Sequence, residues 1–376
     1  MKIALIHSYY SSRVPSGENL AVDAQAAVLR QAGHEVEVLA QSTDDRLTRR
    51  GYPLEAALTA MTGRGPSPLE DLRAFGPDLV HVHNLFPNFG RTWLRRWDGP
   101  LVATLHNYRP LCPGSTLFRD GAVCVECPSS GSVRPAVRHG CFHESRPATL
   151  PVALGTKFAR DPVLERADVL ATLSSGMSRL YTDAGVPAHK LLVLENFVAE
   201  PPRPGPGGDY WLYAGRIEPE KGLPALIAQW PQGQRLLVAG EPPVGLLPAH
   251  PDVELLGRLS RDRLREVMAG ARGLVFPSIW PEALALVCLE ALAVGTPIVT
   301  FDDIPAGVAV AELGIGVAGP RADLAGLLTR AHAELPGLRE HCVTVFGERF
   351  TPQAWLRRAE DLYREAIDRS LSRAHR

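Results

Sequence analysis

The sequence has almost no net charge, no long apolar run and few cysteines, and each shortage closes a class of function. Lys+Arg 40 against Asp+Glu 41 leaves a formal net charge of -1, so no broad electrostatic attraction to nucleic acid is expected. No apolar stretch approaches the roughly 18 residues that a membrane-spanning helix needs. The opening segment Met1–Tyr10 carries one Lys and a short apolar run that breaks at His7, which reads as a first β-strand rather than a signal peptide. The expected location is therefore cytoplasmic. Contact with the inner face of a membrane stays open through the display of Arg91, Arg95 and Arg96. Six cysteines in 376 residues are too few for a disulfide framework.

What is present is enough for two cores: 45% of the residues are hydrophobic, and the length exceeds one ordinary domain. The first half alternates strand-like runs with helical ones. The strands are Lys2–His7, Glu35–Leu39, Asp78–His83, Pro100–Leu105, Asp168–Thr172 and Leu191–Leu194, and a helix runs from Glu18 to Ala32. The segment 199–209 is too rich in Pro and Gly for a helix or central strand and reads as a linker. After it the alternation restarts, with strands Tyr210–Ala214, Arg235–Ala239, Val253–Leu256, Gly273–Phe276 and Pro297–Thr300. The pattern predicts an α/β fold of two doubly wound, Rossmann-like domains facing a cleft. One spans 1–198, the other 210–350. An amphipathic C-terminal segment, 351–376, is expected to return to the first domain, with Trp355, Ala359, Leu362 and Ile367 on one side. In such sheets ligands sit at the carboxyl ends of the strands, so functional residues are sought there.

Strand Tyr210–Ala214 runs into Gly215-Arg216 and then Lys221-Gly222 before a helix. Two such cations are ordinarily solvated, but at a strand-to-helix tip they suit a diphosphate, Arg by forked hydrogen bonds and Lys as a point charge. Strand Gly273–Phe276 leads to a stretch with Glu282 and Glu290, read as one helix starting near Glu282 and stopped by Gly295. On that reading the two acids lie about 12 Å apart along the axis and face one elongated ligand. Free N–H groups near Ala285, Leu286 and Val287 then meet its phosphates. An acid inside an apolar helix is costly unless it binds something.

These motifs, Gly215-Arg216…Lys221-Gly222 and Glu282…Glu290, resemble the donor site of retaining glycosyltransferases of family 4, which have the GT-B fold, and the resemblance spans nearly the whole chain. It implies transfer of a sugar from a nucleotide-diphosphate sugar to an acceptor: a glycan, a lipid-linked molecule or a natural product. Arg216 and Lys221 would hold the diphosphate, Glu290 the ribose and Glu282 the transferred sugar. Gly257-Arg-Leu259 resembles the turn that reads the base, and Ser8 to Asn19, which includes Ser16-Gly17-Glu18, the glycine loop near the donor phosphates and acceptor. His106, at the end of strand Pro100–Leu105, matches the family's cleft histidine. Asn196 is a further cleft residue, and His81 and His83 read as core or support. Ala283 and Ala285 stand where the family often has glycine, which narrows the pocket. No catalytic metal is implied, since Arg216, Lys221 and the helix dipole can replace one. The same fold also serves nucleotide-sugar epimerases and hydrolases, and a catalytically silent sugar-nucleotide binder is a third reading.

Cys112, Cys124, Cys127 and Cys141 occupy an insertion over about 110–145, with Cys124 and Cys127 forming a C-x2-C clip. In a cytoplasmic chain this spacing favours a structural zinc over disulfides, with His139 or His143 as substitutes for Cys141.

Overall fold

The computed structural model describes residues 1–12, 16–199, 201, 203–243 and 245–374. Arg13 to Pro15 of the glycine loop, Glu200 and Pro202 of the linker, and the last two residues of the C-terminal segment lie outside the described residues.

Two six-stranded parallel sheets organise the chain. The first contains β1 (Lys2–Tyr9), β2 (Glu35–Ser42), β3 (Leu79–Asn84), β4 (Leu101–Leu105), β5 (Val169–Thr172) and β6 (Leu191–Val193), in the order β2-β1-β3-β4-β5-β6. The second contains β7 (Trp211–Ala214), β8 (Leu236–Ala239), β9 (Val253–Gly257), β10 (Gly273–Phe276), β11 (Ile298–Phe301) and β12 (Gly316–Gly319), in the order β9-β8-β7-β10-β11-β12. Both orders reverse direction beside the first strand, the place where open α/β sheets leave a crevice at their strand tips. Strand β12 escapes the sequence pattern: Gly316 and Gly319 weaken its β signal. Its register against β11 explains the first glycine, since a Cβ at Gly316 would lie 1.9 Å from the Ile298 carbonyl oxygen.

The central strands are buried on both faces, as crossover helices require. Below the first sheet, Ile3, Leu5, Leu29, Val102 and Val169 pack with Trp355, Leu362 and Tyr363. Those last three come from the C-terminal helix Pro352–Ala374, so the end of the chain completes the core of its beginning. The apolar side chains of that helix recur at helical spacing, which is what lets one face do this.

Segment 203–209 is laid against the second half rather than strung loosely. Arg203 N donates to Ala293 O at 2.8 Å and Gly205 N to Val294 O at 2.8 Å. A Cβ on Gly205 would meet Ala269 at 2.5 Å, so close approach accounts for glycine there. Glu195 accepts from Arg349 at 2.5 Å and also pairs with Arg358, binding the crossing to the start of the returning helix.

Candidate functional site

The tips of β1, β4, β7 and β10 face one another across a cleft of about 530 Å³. Its lining includes Gly17, His106, Asn196, Arg216, Lys221 and Glu282, together with Leu286 and Val287. These positions are scattered over the sequence, and chain topology alone brings them together.

Gly17 opens the helix Gly17–Gln31, capped by Ser16, whose hydroxyl accepts from Asn19 N at 3.3 Å. A Cβ on Gly17 would touch the Leu286 side chain at 3.7 Å, so the first helix of one half faces the Leu286–Ala293 helix of the other. Beside this approach, the Tyr108 hydroxyl donates to Pro281 O at 2.7 Å and ties the β4 tip to the loop holding Glu282.

That loop departs from the sequence expectation. The helix begins at Leu286, with Ala285 as its extended N-cap residue, and Glu282 lies in the non-helical segment before it. The stretch 280–285 cannot join the helix because its polar groups are bound elsewhere: Pro281 O by Tyr108, and Glu282 O by Ala306 N at 2.9 Å. The free N–H groups still fall at the helix start, but helical rise no longer measures the distance between the acids. Glu290, one turn into the helix, faces a separate cavity of about 230 Å³ with Leu259, Arg261, Leu264, Arg265 and Met268. Burial raises its carboxyl pKa, and Arg261 and Arg265 oppose that rise. The Gly257–Leu259 turn thus borders Glu290, while Leu286 and Val287 border the main cleft.

Glu282 is held by four hydrogen bonds. Lys221 Nζ reaches its two oxygens at 2.7 and 2.8 Å, and Ser278 Oγ and the Trp280 indole each donate to Oε2 at 3.0 Å. Lys221 and Glu282 therefore form a largely buried, bidentate pair. Arg216, more exposed, pairs with Glu218 at 2.8 Å. Gly222, φ +75, follows Lys221 beneath Pro277 O, which a Cβ would approach to 2.1 Å, so glycine is required for both reasons. Ser278, Trp280 and Tyr108 carry no motif, and nothing local in the sequence marks them.

On the other wall, His106 Nε2 lies 3.0 Å from His83 Nδ1. The ring of His83 packs on His81, which is bonded to Thr104 at 2.7 Å and to the Tyr363 hydroxyl at 2.9 Å. Burial pushes both His81 and His106 down to about 3, so the chain of imidazoles is neutral and each ring's single N–H must be shared out along it. His106 presents an uncharged hydrogen-bonding edge to the cleft. Glu18 is nearly buried, and its Oε1, 4.0 Å from His7 Nδ1, has no hydrogen-bond partner among the described residues; burial raises its carboxyl to about 8, opposed by Arg109. Ala283, at the place where the narrowing was expected, is buried in the lining.

The cysteines share one loop, where a Cβ on Gly114 would lie 3.6 Å from Cys141 Cβ and 3.7 Å from Cys112 Sγ. Among the described residues no three His, Cys, Asp or Glu side chains are placed to hold a metal ion, and all four thiols are free. Cys127 and Cys141 lie near the other two, and burial first raises both thiols, Cys127 to about 11.

Residues 16–200 match the model of Glycosyltransferase Family 4, and residues 208–333 that of Glycosyl transferases group 1. The chain is 26% identical over 354 residues to a glycogen synthase of Mycobacterium tuberculosis, covering 86% of this chain and 77% of the relative. Among solved structures, sucrose-phosphate synthase from Thermosynechococcus elongatus aligns with a TM-score of 0.65 at 18% identity, over 97% of this chain and 98% of that one. HepE of Anabaena, solved with UDP and glucose, aligns with a TM-score of 0.56 at 17% identity, over 96% and 98%. Two parallel sheets meeting at a cleft, with both family models matched in chain order, make this protein a glycosyltransferase of the GT-B fold, belonging to family 4 and to the glycosyl transferases of group 1.

Proposed function

We propose that the chain transfers a sugar from a nucleotide-diphosphate sugar with retention of anomeric configuration. The observation that carries this reading is the meeting of Lys221, Glu282 and the N-terminus of the Leu286–Ala293 helix with neutral His106 in one cleft. The diphosphate lies between Arg216, Lys221 and the N–H groups of Leu286 and Val287, where positive charge and oriented dipoles converge. The ribose takes Glu290, and the base sits beside the Gly257–Leu259 turn. The donor sugar takes Glu282 and His106. UDP is the first nucleotide to try, because HepE was solved with it.

In the reaction the bond from the anomeric carbon to the phosphate oxygen breaks, with its electron pair leaving on the phosphate. An acceptor oxygen bonds to the same face and gives its proton to a phosphate oxygen. Arg216 and Lys221 stabilise the charge that gathers on the leaving diphosphate. Glu282 is poorly suited to be a covalent nucleophile, since Lys221, Ser278 and Trp280 already draw on its lone pairs. It orients sugar hydroxyls instead.

Thermal-shift titration with UDP, GDP, ADP and their glucose conjugates tests the donor assignment. At least one nucleotide should raise the melting temperature, by an amount that grows with its concentration. A melting temperature unmoved by all of them would remove the proposal. Incubating the stabilising donor without acceptor separates transfer from the alternatives: rapid epimerisation or hydrolysis would favour those.

A further inference from the structure

The outer side of the first half carries an apolar surface that no packing accounts for. On the helix Tyr52–Thr62, Leu54 is 67% and Leu58 47% exposed; on the helix Arg146–Gly155, Leu150 is 46% and Leu154 48% exposed. Each pair is spaced four residues apart and so shares one face of its helix. The two helices pack on each other closely. A Cβ on Gly155 would lie 1.8 Å from Ala60 O, and the Arg91 guanidinium donates to both Ala60 O and Gly155 O. Pro53 and Pro147, near the starts of these helices, are exposed as well.

Cations dominate the charge around this surface, although exposed Asp45 and Glu144 stand near its edges in the sequence. Exposed Arg49 and Arg50 precede the first helix and Arg64 follows it; exposed Arg146 begins the second and Lys157 follows it. The one acid on the first helix, Glu55, is tied to Arg46 at 2.7 Å, and the second helix has no acid. Aliphatic side chains in the middle and long cations at both ends form the pattern of helices lying in a membrane interface.

We propose that this two-helix face is a docking surface for an anionic lipid bilayer. Leu54, Leu58, Leu150 and Leu154 enter the boundary between headgroups and acyl chains, and the flanking arginines meet lipid phosphates. A protein partner fits less well, because exposed apolar residues here are all aliphatic, whereas protein interfaces favour aromatics; Tyr52 is buried. A second copy in two-fold contact would set like-charged arginines against each other. The inner sides of the same helices line a cavity through Thr59, Ala60, Val152 and Gly155. That cavity also reaches His106 and Asn107 of the cleft, so a docked chain has its acceptor-side wall toward the membrane. The proposal does not rest on the donor assignment.

Co-sedimentation of the purified full chain with vesicles tests it. Binding should be strong to phosphatidylcholine vesicles carrying about 30% phosphatidylglycerol, weak to phosphatidylcholine alone, and reduced by high salt. The variant with Leu54, Leu58, Leu150 and Leu154 all changed to Ser should lose about tenfold in vesicle binding, with its melting temperature monitored as the folding control. Arg49→Glu with Arg50→Glu, which touches no core, should weaken binding independently. No binding of the wild type to anionic vesicles overturns the proposal, and so does binding unaltered by both variants. A dimer seen by light scattering that the leucine variant abolishes would likewise overturn it, giving the face to a second copy.

Discussion

Glu282 and its three donors show how much a single side chain can report once its neighbours are known. Glu282→Ala should lower turnover by about 10²–10³ while nucleotide diphosphate affinity stays close to wild type. A turnover within a few-fold of wild type would remove Glu282 from the reaction. The buried histidines and Glu18 carry opposite pH signatures. His81 and His106 resist protonation down to about 3, whereas an unfolded imidazole titrates near 6.5. Their contribution to stability is therefore present above about 6.5 and lost as pH falls through that window. Glu18 titrates at about 8 against an ordinary 4.5, so the folded chain keeps a proton that the unfolded chain has released. Its effect is a stability that declines as pH rises from about 4.5 to about 8. Urea midpoints measured at pH 5, 6.5 and 8 should show Glu18→Gln gaining on wild type toward the alkaline end; parallel curves would mean the carboxyl is solvated.

Among the elements, the Lys221–Gly222 turn and the loop before Leu286 do the positioning. Gly222→Ala adds a Cβ 2.1 Å from Pro277 O at a φ of +75, so backbone must move. A loss of about 2–4 kcal/mol is expected in denaturant unfolding, with weaker nucleotide binding because Lys221 is the preceding residue. Gly215 and Gly222 were readable as turn residues, since a strand followed by glycine and cations is a local pattern. The start of the helix near Glu282 was not readable. Proline and acid at 281 and 282 form a sound local start signal, but bonds from Tyr108 and Ala306, far along the chain, hold that segment extended.

For the whole molecule, the C-terminal helix is the part with most leverage. Trp355 is fully buried among Ile3, Leu5 and Phe197, against the opposite end of the sequence. Trp355→Ala should cost about 3–5 kcal/mol and lower the cooperativity of unfolding, because it opens the core of the first sheet. Unfolding midpoints followed by fluorescence and by circular dichroism would reveal this, and a midpoint equal to wild type would show the helix to be peripheral.

The sequence by itself determined the alternation of strands and helices, the halves into which it falls, and the glycines and cations at the strand tips. Each is written in residues close together, where periodicity and turn chemistry act locally. Only the tertiary structure decided that Lys221 grips Glu282, that Glu290 faces a cavity of its own, and that four leucines point outward between arginines. Those outcomes depend on which distant segments exclude water from a given side chain, and exclusion of water belongs to the folded surface rather than to the order of residues.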